Sequence, residues 1–459
     1  MTIPHLLSQL GACVISILDA SDKSHSAVSA SVSTPFSRIT ESLGSHAREY
    51  GSTFATEFTV LGCQLLTYKL AAHFLGKTGF AEYAVTRRTI SILYPIVLLG
   101  LAVGLPRYIA NAAGRCDEES KARYLGAALW CVGLSTLVCV ALLNVFSSGL
   151  AYLFFGSREY RSLILPLSLV VAGSALHAIV YSYFRGMLEM RAANFLQFVN
   201  FGLMPLAVFL FYGKSVQSLL SALGILSFAV AGVALLFTPW RAVAKDNRKY
   251  VKELLRFGIQ RVPGDFILMA LFALPAMIVA HKSGMRAAGF VAFGISMLNV
   301  IGSFFSPFGL ILLPKAGAML AARENRELRR QVWLLTRITL VVSAALAAGI
   351  AIGADTLIRL YLGSDFTEGA GVLRLLLLAA VPYSLYTVLR NVIDAFHELG
   401  VTTIILAAGF VIFCLGSSAL FGLQDKLRVV LVAFLGGSLT LCLLAGVESL
   451  RILRCKESE

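Results

Sequence analysis

Apolar stretches of about twenty residues, long enough to cross a bilayer as an α-helix, fill most of this sequence. Twelve can be counted, at 52–76, 84–106, 124–146, 162–184, 194–212, 217–238, 255–280, 287–313, 333–354, 371–393, 400–421 and 429–450. Charged residues make up only 14% of the chain, whereas soluble domains carry roughly a quarter. A transmembrane β-barrel would show short alternating segments instead. We therefore predict an all-α, multi-pass membrane protein with twelve transmembrane helices.

The formal net charge of +14 follows the predicted topology. With the amino terminus placed in the cytoplasm, 25 of the 39 Lys and Arg residues fall on the cytoplasmic side and 12 on the other side. Basic residues concentrate in cytoplasmic loops, so we predict a cytoplasmic membrane protein with both termini in the cytoplasm. Contact with anionic membrane lipids then explains the charge, and nucleic acid is not expected as a partner.

Missing motifs argue against several kinds of site. Gly76-Lys77-Thr78 lacks the earlier glycine of a phosphate-binding loop, because Ala71 stands at that position. The eight cysteines include no Cys-x-x-Cys pair and are interpreted as apolar packing residues. No nucleophile or metal-ligand constellation is evident. We predict no cofactor, no metal site and no enzymatic activity.

Two parts of the sequence, about 208 residues apart, resemble each other. Pro106 matches Pro314, Arg115 matches Arg323 and Glu119 matches Glu327 at offset 208, while Tyr181 matches Tyr386, Arg185 matches Arg390 and Glu189 matches Asp394 at offset 205. We interpret these matches as an internal duplication. With six spans in each copy, both copies enter the membrane in the same orientation, as in parallel-repeat transporters.

The duplication divides the chain into five parts. Residues 1–50 are predicted to be a Ser- and Ala-rich cytoplasmic tail, whose first apolar stretch fits an interfacial helix. A signal peptide is the alternative, although no Lys or Arg precedes that stretch. The other four parts are the first six-helix bundle (51–239), a cytoplasmic linker (240–250), the second six-helix bundle (251–454) and the cytoplasmic carboxyl terminus (455–459).

Ionisable residues within the spans are the candidate functional residues, because a charge in hydrocarbon is costly unless it faces a partner or a cavity. The basic candidates are Lys69, His73, Arg87, Arg88 and Arg261, and the acidic ones are Glu57 and Asp265. Among them, Lys69 lies well inside an apolar segment. The basic groups outnumber the acidic ones, so a cavity that they line would favour an anionic cargo.

Several of these residues have a structural alternative. Arg87 and Arg88 open the second span, where their side chains could extend to the outer head groups. Arg261 and Asp265 are four residues apart and would form an ion pair on one helix face. His177 lies in the middle of the fourth span and is interpreted as a hydrogen-bonded packing residue.

Short segments around these residues resemble the polysaccharide flippases. The segments are Gly76-x-x-Gly79-Phe80-x-x-Tyr83, Leu105-Pro106-Arg107, Leu254-Leu255-Arg256-Phe257-Gly258-Ile259, Ala288-Gly289-Phe290, Leu313-Pro314-Lys315 and Tyr361-Leu362-Gly363-Ser364-Asp365-Phe366. The resemblance is to the O-antigen and exopolysaccharide (Wzx-type) branch of the multidrug/oligosaccharidyl-lipid/polysaccharide (MOP) exporter superfamily. It covers residues 52–454 and leaves the amino-terminal tail without a counterpart.

The resemblance implies two six-helix bundles around a central cavity, which flip an oligosaccharide linked through pyrophosphate to a polyprenyl lipid. It also implies that the five basic candidates hold the pyrophosphate. Glu57 or Asp265 would take up a coupling proton or sodium ion, and other polysaccharide assembly proteins would be partners. Two alternatives remain: a multidrug or organic-cation antiporter of the same fold, and a non-transporting membrane scaffold of a glycan assembly complex.

Overall fold

The computed structural model describes residues 35–213, 215–244, 246–305, 325–396, 400–419 and 425–455. Its contacts divide the chain into two units, residues 1–52 and 53–459, and the description below concerns the second unit. The predicted interfacial helix near the amino terminus lies outside the described residues. So do Leu313-Pro314-Lys315 and Arg323 of the second sequence repeat.

The described residues form helices and no strands, so the predicted all-α fold is confirmed. The α-helices are α1 (Pro35–Leu98), α2 (Leu101–Gly114), α3 (Glu118–Val145), α4 (Ser147–Phe155), α5 (Ile164–Gly186), α6 (Met190–Phe198), α7 (Met204–Tyr212), α8 (Val216–Leu235), α9 (Arg248–Ser303), α10 (Asn325–Ile352), α11 (Ala354–Tyr361), α12 (Ala370–Leu377), α13 (Ala380–Phe396), α14 (Val401–Ala419) and α15 (Lys426–Cys455). Three 3₁₀ helices cover Arg158–Leu163, Trp240–Ala244 and Ser364–Gly369, and a π-helical turn covers Val199–Leu203.

The described helices provide fewer membrane spans than the predicted twelve. Eight helices are long and apolar enough to cross a bilayer, or ten if each of two bent helix pairs is one span. Two of the counted elements are unusually long. Helix α9 has 56 residues in two parts joined at a kink. Together they would extend about 84 Å at 1.5 Å per residue, against a hydrocarbon core of about 30 Å. The predicted number would require α1 and α9 each to cross twice, and it is not confirmed.

The two long helices break at equivalent glycines. Gly76 in α1 has a φ of 64° and Gly284 in α9 has a φ of 84°, and the two positions are 208 residues apart. Glycine adopts this left-handed conformation without the strain that a Cβ atom would cause. Each kink therefore divides its helix at the point where the sequence predicts one span to end and the next to begin.

The order of the elements also repeats. In the first half, α1 and α2 are followed by a helix of 28 residues, a short helix, a 3₁₀ turn and further apolar helices. In the second half, the described elements after α9 are again a helix of 28 residues, a short helix, a 3₁₀ turn and further apolar helices. Helix α10 begins 207 residues after α3, and α11 begins 207 residues after α4. The duplication inferred from the sequence is thus present in the fold. We keep the division into bundles 51–239 and 251–454 as a proposal.

Much of the helix packing lies within one half of the chain. Helix α5 packs against α8, α3 and α2, and α15 packs against α14 and α13. Helix α9 also contacts α2, α3 and α4, so it connects the two halves. Helix α1 and the second part of α9 lie side by side, because Arg88 bonds to Ala292 and Ser296 and Gly289 packs against Ala81.

Helices α5 and α8 approach each other at two glycines. A Cβ atom at Gly173 would lie 2.6 Å from the carbonyl oxygen of Gly224, and one at Gly224 would lie 2.5 Å from the backbone carbonyl carbon of Leu169. Side chains at these positions would force the helices apart. The two glycines therefore allow the backbones to pack closely.

We expect Gly224→Leu to lower the thermal unfolding temperature in detergent, because overpacking of this kind typically costs about 1–3 kcal/mol. The control is Gly232→Leu on the same helix, where an added Cβ atom would meet nothing within 4 Å. Equal unfolding temperatures for the two variants would contradict the close approach of α5 and α8.

Candidate functional site

Two adjacent cavities lie around the start of the second predicted span, residues 84–106. The smaller has a volume of about 210 Å³ and lies between α1 and the second part of α9; we call it the inter-half cavity. The larger, about 580 Å³, lies among α1, α2 and the helices from α5 to α8; we call it the first-half chamber. Both are lined by Gln64, Arg87 and Ser91, so these residues lie at the boundary between the two cavities.

Arg88 joins the two halves of the chain. Its side chain is 9% exposed, and its Nε and Nη2 atoms donate to the carbonyl oxygen of Ala292 on α9 over 3.3 and 3.2 Å. Nη2 also donates to the Ser296 hydroxyl over 2.5 Å, and that hydroxyl lies 2.7 Å from the hydroxyl of Tyr68. The guanidinium of Arg88 is therefore used to hold α1 against α9.

Arg87 is placed differently, although it is the adjacent residue. Its guanidinium carbon lies 5.2 Å from the ring centre of Tyr68 and 5.9 Å from that of Tyr83. These distances are within the range of cation–π interactions, which hold an arginine in place and leave it charged. Among the described residues, no carboxylate forms an ion pair with Arg87. Because it lines both cavities, its N–H groups can reach an anionic group in either one.

The cavities contain basic side chains and no acidic ones among the described residues. Their lining includes Arg87, Arg88 and Arg185, and no Asp or Glu. Arg185 comes from α5 and lies 5.6 Å from the ring centre of Tyr181. A guanidinium presents N–H donors in a fork that matches phosphate or carboxylate oxygens. The arrangement is therefore suited to an anion.

The residues that line these cavities belong to a segment that identifies the protein family. Residues 47–315 match the family described as "Polysaccharide biosynthesis protein", which is more than half of the chain. The chain belongs to the polysaccharide biosynthesis protein family. The matched range contains every residue that lines the two cavities. Comparison with curated protein sequences gives no match.

Solved structures share the fold of this polysaccharide biosynthesis protein at low sequence identity. An inward-facing multidrug resistance MATE family transporter of the MOP superfamily matches with a TM-score of 0.71 and 15% identity, over 87% of this chain and 96% of that one. The eukaryotic MATE transporter AtDTX14 matches with 0.66 and 17%, over 92% and 99%. A MOP superfamily transporter from Pyrococcus furiosus matches with 0.58 and 14%, over 89% and 97%. The fold is thus that of the MATE transporters, and the protein is a multi-pass membrane protein.

Two of the basic residues predicted from the sequence lie away from the cavities. Lys69 and His73 are on an exposed face of α1, together with Leu66 and Phe74. Neither Lys69 nor His73 lines the inter-half cavity or the first-half chamber. The structure therefore groups Arg87 and Arg88 with Tyr68, and it does not bring Lys69 or His73 to them.

Arg261 and Asp265 interact with each other. The Arg261 Nε atom lies 3.4 Å from an Asp265 carboxylate oxygen, and each side chain is 32% exposed. Neither residue lines the two cavities. This is the ion pair that their spacing on one helix face allows. Glu57 is exposed on α1 and lines neither cavity.

A neutral polar cluster in the first-half chamber was missed as a site. His177 is 1% exposed and Asn200 is 2% exposed. The His177 Nδ1 atom lies 2.7 Å from Asn200 Nδ2, and its Nε2 atom lies 3.1 Å from Gln197 Oε1. The sequence interpretation of His177 as hydrogen-bonded agrees with these contacts. Asn200 and Gln197 are uncharged, so the criterion of ionisable residues within spans does not select them. The π-helical turn that positions Asn200 has no sequence signature of its own.

Proposed function

We propose that this protein is a flippase that moves a lipid-linked oligosaccharide across the cytoplasmic membrane by alternating access. The cargo would be a glycan joined through pyrophosphate to a polyprenyl lipid, for the synthesis of a surface polysaccharide such as O-antigen or exopolysaccharide. Membership of the polysaccharide biosynthesis protein family supports the glycan. The MATE-like fold supports transport by two halves that rock about a central site.

The charge of the cavity lining carries the proposal. Three arginines and no carboxylate line the two cavities among the described residues. Charge-assisted hydrogen bonds from arginine would stabilise a pyrophosphate, whereas an organic cation would be repelled. The Pyrococcus furiosus relative is described as having a binding pocket of reverse polarity that "suggests different function". We use the polarity of the cavity in the same way to prefer a flippase over an organic-cation antiporter.

We assign the pyrophosphate to Arg87, because its guanidinium faces both cavities and has no carboxylate partner among the described residues. Arg88 is proposed to help indirectly, by fixing α1 against α9 next to that site. Roles for Lys69, His73 and Arg261 in binding stay predictions from the sequence. The cytoplasmic position of both termini is part of this proposal.

Glu57 and Asp265 are the proposed coupling residues. Arg185 acts electrostatically on Glu57, and Arg261 and Arg390 act on Asp265. Glu57 and Asp265 are 208 residues apart, and Arg185 and Arg390 are 205 residues apart, so each half of the duplication carries one such acid–arginine group. Uptake of a proton or sodium ion by the carboxylate would neutralise the negative charge near the arginine. That arginine could then interact with an anionic cargo.

Reconstitution into liposomes tests the proposed function. The purified protein is assayed for movement of a fluorescent polyprenyl-pyrophosphate glycan between leaflets, and separately for exchange of an organic cation against protons. We expect the first activity and not the second. Cation exchange without lipid movement would establish the antiporter alternative. Absence of both activities in a folded protein would favour the non-transporting scaffold.

A further inference from the structure

A third cavity, of about 800 Å³, is lined by α1, α3 and α4 of the first half and by the linker and the start of α9. We call it the seam groove, because it lies where the two halves meet. One wall is an apolar stripe at every fourth residue of α3, which we call the α3 stripe: Trp130, Leu134, Val138 and Leu142. These four side chains are 49–57% exposed, so the stripe is open to a ligand.

The seam groove is long enough for a lipid chain. Its lining on α3 runs from Trp130 to Leu143, about 20 Å at 1.5 Å per residue. The acyl chains of one leaflet span about 15 Å, half of the hydrocarbon core. The groove can therefore hold one acyl chain along most of its length.

Basic residues gather at one end of the seam groove. Residues 240–252 contain five Lys or Arg residues and one acidic residue, Asp246. Arg248 lines the groove beside Asp246, with its Nε atom 3.9 Å from a carboxylate oxygen, and the two side chains are 95% and 78% exposed. Ion pairs as exposed as this one are weak. The Arg248 guanidinium is therefore available to the phosphate of a lipid head group.

Hydrogen bonds fix this basic end against the wall of the groove. The indole Nε1 atom of Trp130 donates to the carbonyl oxygen of Val243 over 2.9 Å, and Arg123 Nη1 donates to that of Asp246 over 2.9 Å. The linker is thus bound to α3 at two points. An apolar groove with a fixed cationic end matches an amphiphile with an anionic head group. Anionic lipids of the cytoplasmic leaflet attract basic segments of this kind, and the linker is predicted to be cytoplasmic.

Helix α1 separates the seam groove from the two arginine-lined cavities. Leu93 and Ile96 of this helix line the groove. Arg87, Ser91 and Tyr94 line the first-half chamber. At 3.6 residues per turn, these two sets lie on different faces of the helix. A molecule whose phosphate is held by Arg87 would have to pass around α1 to place its chain in the groove, which favours an occupant distinct from the cargo.

We propose that the seam groove binds one anionic membrane phospholipid, with an acyl chain along the α3 stripe and its phosphate at Arg248. The stripe belongs to the first half and Arg248 begins the first helix of the second half, so the bound lipid contacts both halves. The inference goes beyond the proposed function. It depends on a cytoplasmic linker and not on the identity of the cargo.

Quenching of tryptophan fluorescence by lipids with brominated chains tests the proposal, because Trp130 lines the groove. The other two tryptophans, Trp240 and Trp333, are replaced by Phe, and the protein is reconstituted into liposomes of unbrominated phosphatidylcholine. Brominated phosphatidylglycerol, or brominated phosphatidylcholine with the same chains, then replaces part of the host lipid. We expect half-maximal quenching of Trp130 at an about fivefold lower mole fraction of the phosphatidylglycerol, as one basic residue near a membrane surface can provide.

Two controls establish where this preference arises. Arg248→Gln should remove it, whereas Arg158→Gln, in an exposed turn that does not line the groove, should keep it. Phe228 is 53% exposed on α8 and lies outside the groove. A tryptophan placed there by Phe228→Trp, with Trp130 replaced by Phe, should be quenched equally by the two brominated lipids.

The outcomes decide between a specific phospholipid site, unspecific lipid contact and the cargo. Equal quenching of Trp130 by the two lipids, the same preference at position 228, or a preference that survives Arg248→Gln would overturn the site. Unbrominated phosphatidylglycerol should displace its brominated form and restore the fluorescence of Trp130. If an unbrominated prenyl pyrophosphate restores it at a lower concentration than unbrominated phosphatidylglycerol does, the groove holds the chain of the cargo, and the assignment to a phospholipid is wrong.

Discussion

Arg87→Gln is expected to abolish measurable flipping of a pyrophosphate-linked lipid while the protein remains folded. The substitution removes the guanidinium that lines both cavities and leaves a shorter, uncharged polar side chain. Hydrogen bonds to charged groups contribute about 1.5–3 kcal/mol, which corresponds to a roughly 10- to 100-fold loss of affinity. The measurements are the flipping rate in liposomes and the affinity for a prenyl pyrophosphate in detergent.

Two further variants define the cause of that loss. Arg87→Lys keeps the charge but loses the fork of donors, so an intermediate affinity is expected. Arg158→Gln removes the same group from an exposed 3₁₀ turn that does not line either cavity, and it should behave as wild type. Unchanged flipping by Arg87→Gln would contradict the assignment of the pyrophosphate to this residue.

Lys69→Gln separates the sequence interpretation from the structural one. If the position of Lys69 within an apolar span marks the binding site, this variant should lose activity together with Arg87→Gln. If only residues that line the two cavities bind the cargo, Lys69 is not among them, because it is exposed on α1. The flipping rate of the variant should then stay close to that of the wild type. Loss of activity in Lys69→Gln alone would return the site to the exposed face of α1.

Arg88→Met is expected to cause the largest loss of stability among the arginine variants. It removes all three hydrogen bonds from the guanidinium to α9 and leaves the buried Ala292 carbonyl and Ser296 hydroxyl with fewer partners. Hydrogen bonds that involve a charged group contribute about 1.5–3 kcal/mol. The free energy of unfolding in detergent should therefore fall by at least that amount.

A double-mutant cycle tests whether Arg88 acts through α9. Arg88→Met and Ser296→Ala should be non-additive by about 0.5–3 kcal/mol, as expected for residues in one hydrogen-bond network. The control is Arg286→Met, which removes a pair with Glu368 whose side chains are 47% and 61% exposed. Exposed pairs contribute about 0–1 kcal/mol. Additive effects of the Arg88 and Ser296 variants would show that this contact does not hold the halves together.

The fold class and the repeat were accessible from the sequence because both depend on local properties. Apolar length predicts a membrane helix without knowledge of its neighbours, and a duplication leaves matching residues at a fixed offset. Gly76 and Gly284, at the ends of predicted spans, indeed break the two longest helices. The number of spans was not confirmed, since the described helices supply eight to ten candidate spans and not twelve.

The site depended on tertiary structure, as Arg87 and Arg88 illustrate. Adjacent residues point about 100° apart on a helix. The rotation of α1 against its neighbours therefore places Arg87 along both cavities and turns Arg88 onto α9, at the edge of the inter-half cavity. Likewise, Lys69 and Arg87 are both basic residues of α1, but only Arg87 lines a cavity.

Asn200 shows the same division for uncharged residues. Its amide contacts His177 on α5, which is 23 residues away in the sequence. Its position depends on a π-helical turn that has no sequence signature of its own. The sequence by itself determined an all-α membrane protein with an internal duplication and an excess of basic groups, because hydropathy and charge are properties of single segments. Only the tertiary structure decided which polar groups face a common space, because that depends on how separate helices rotate and pack against one another.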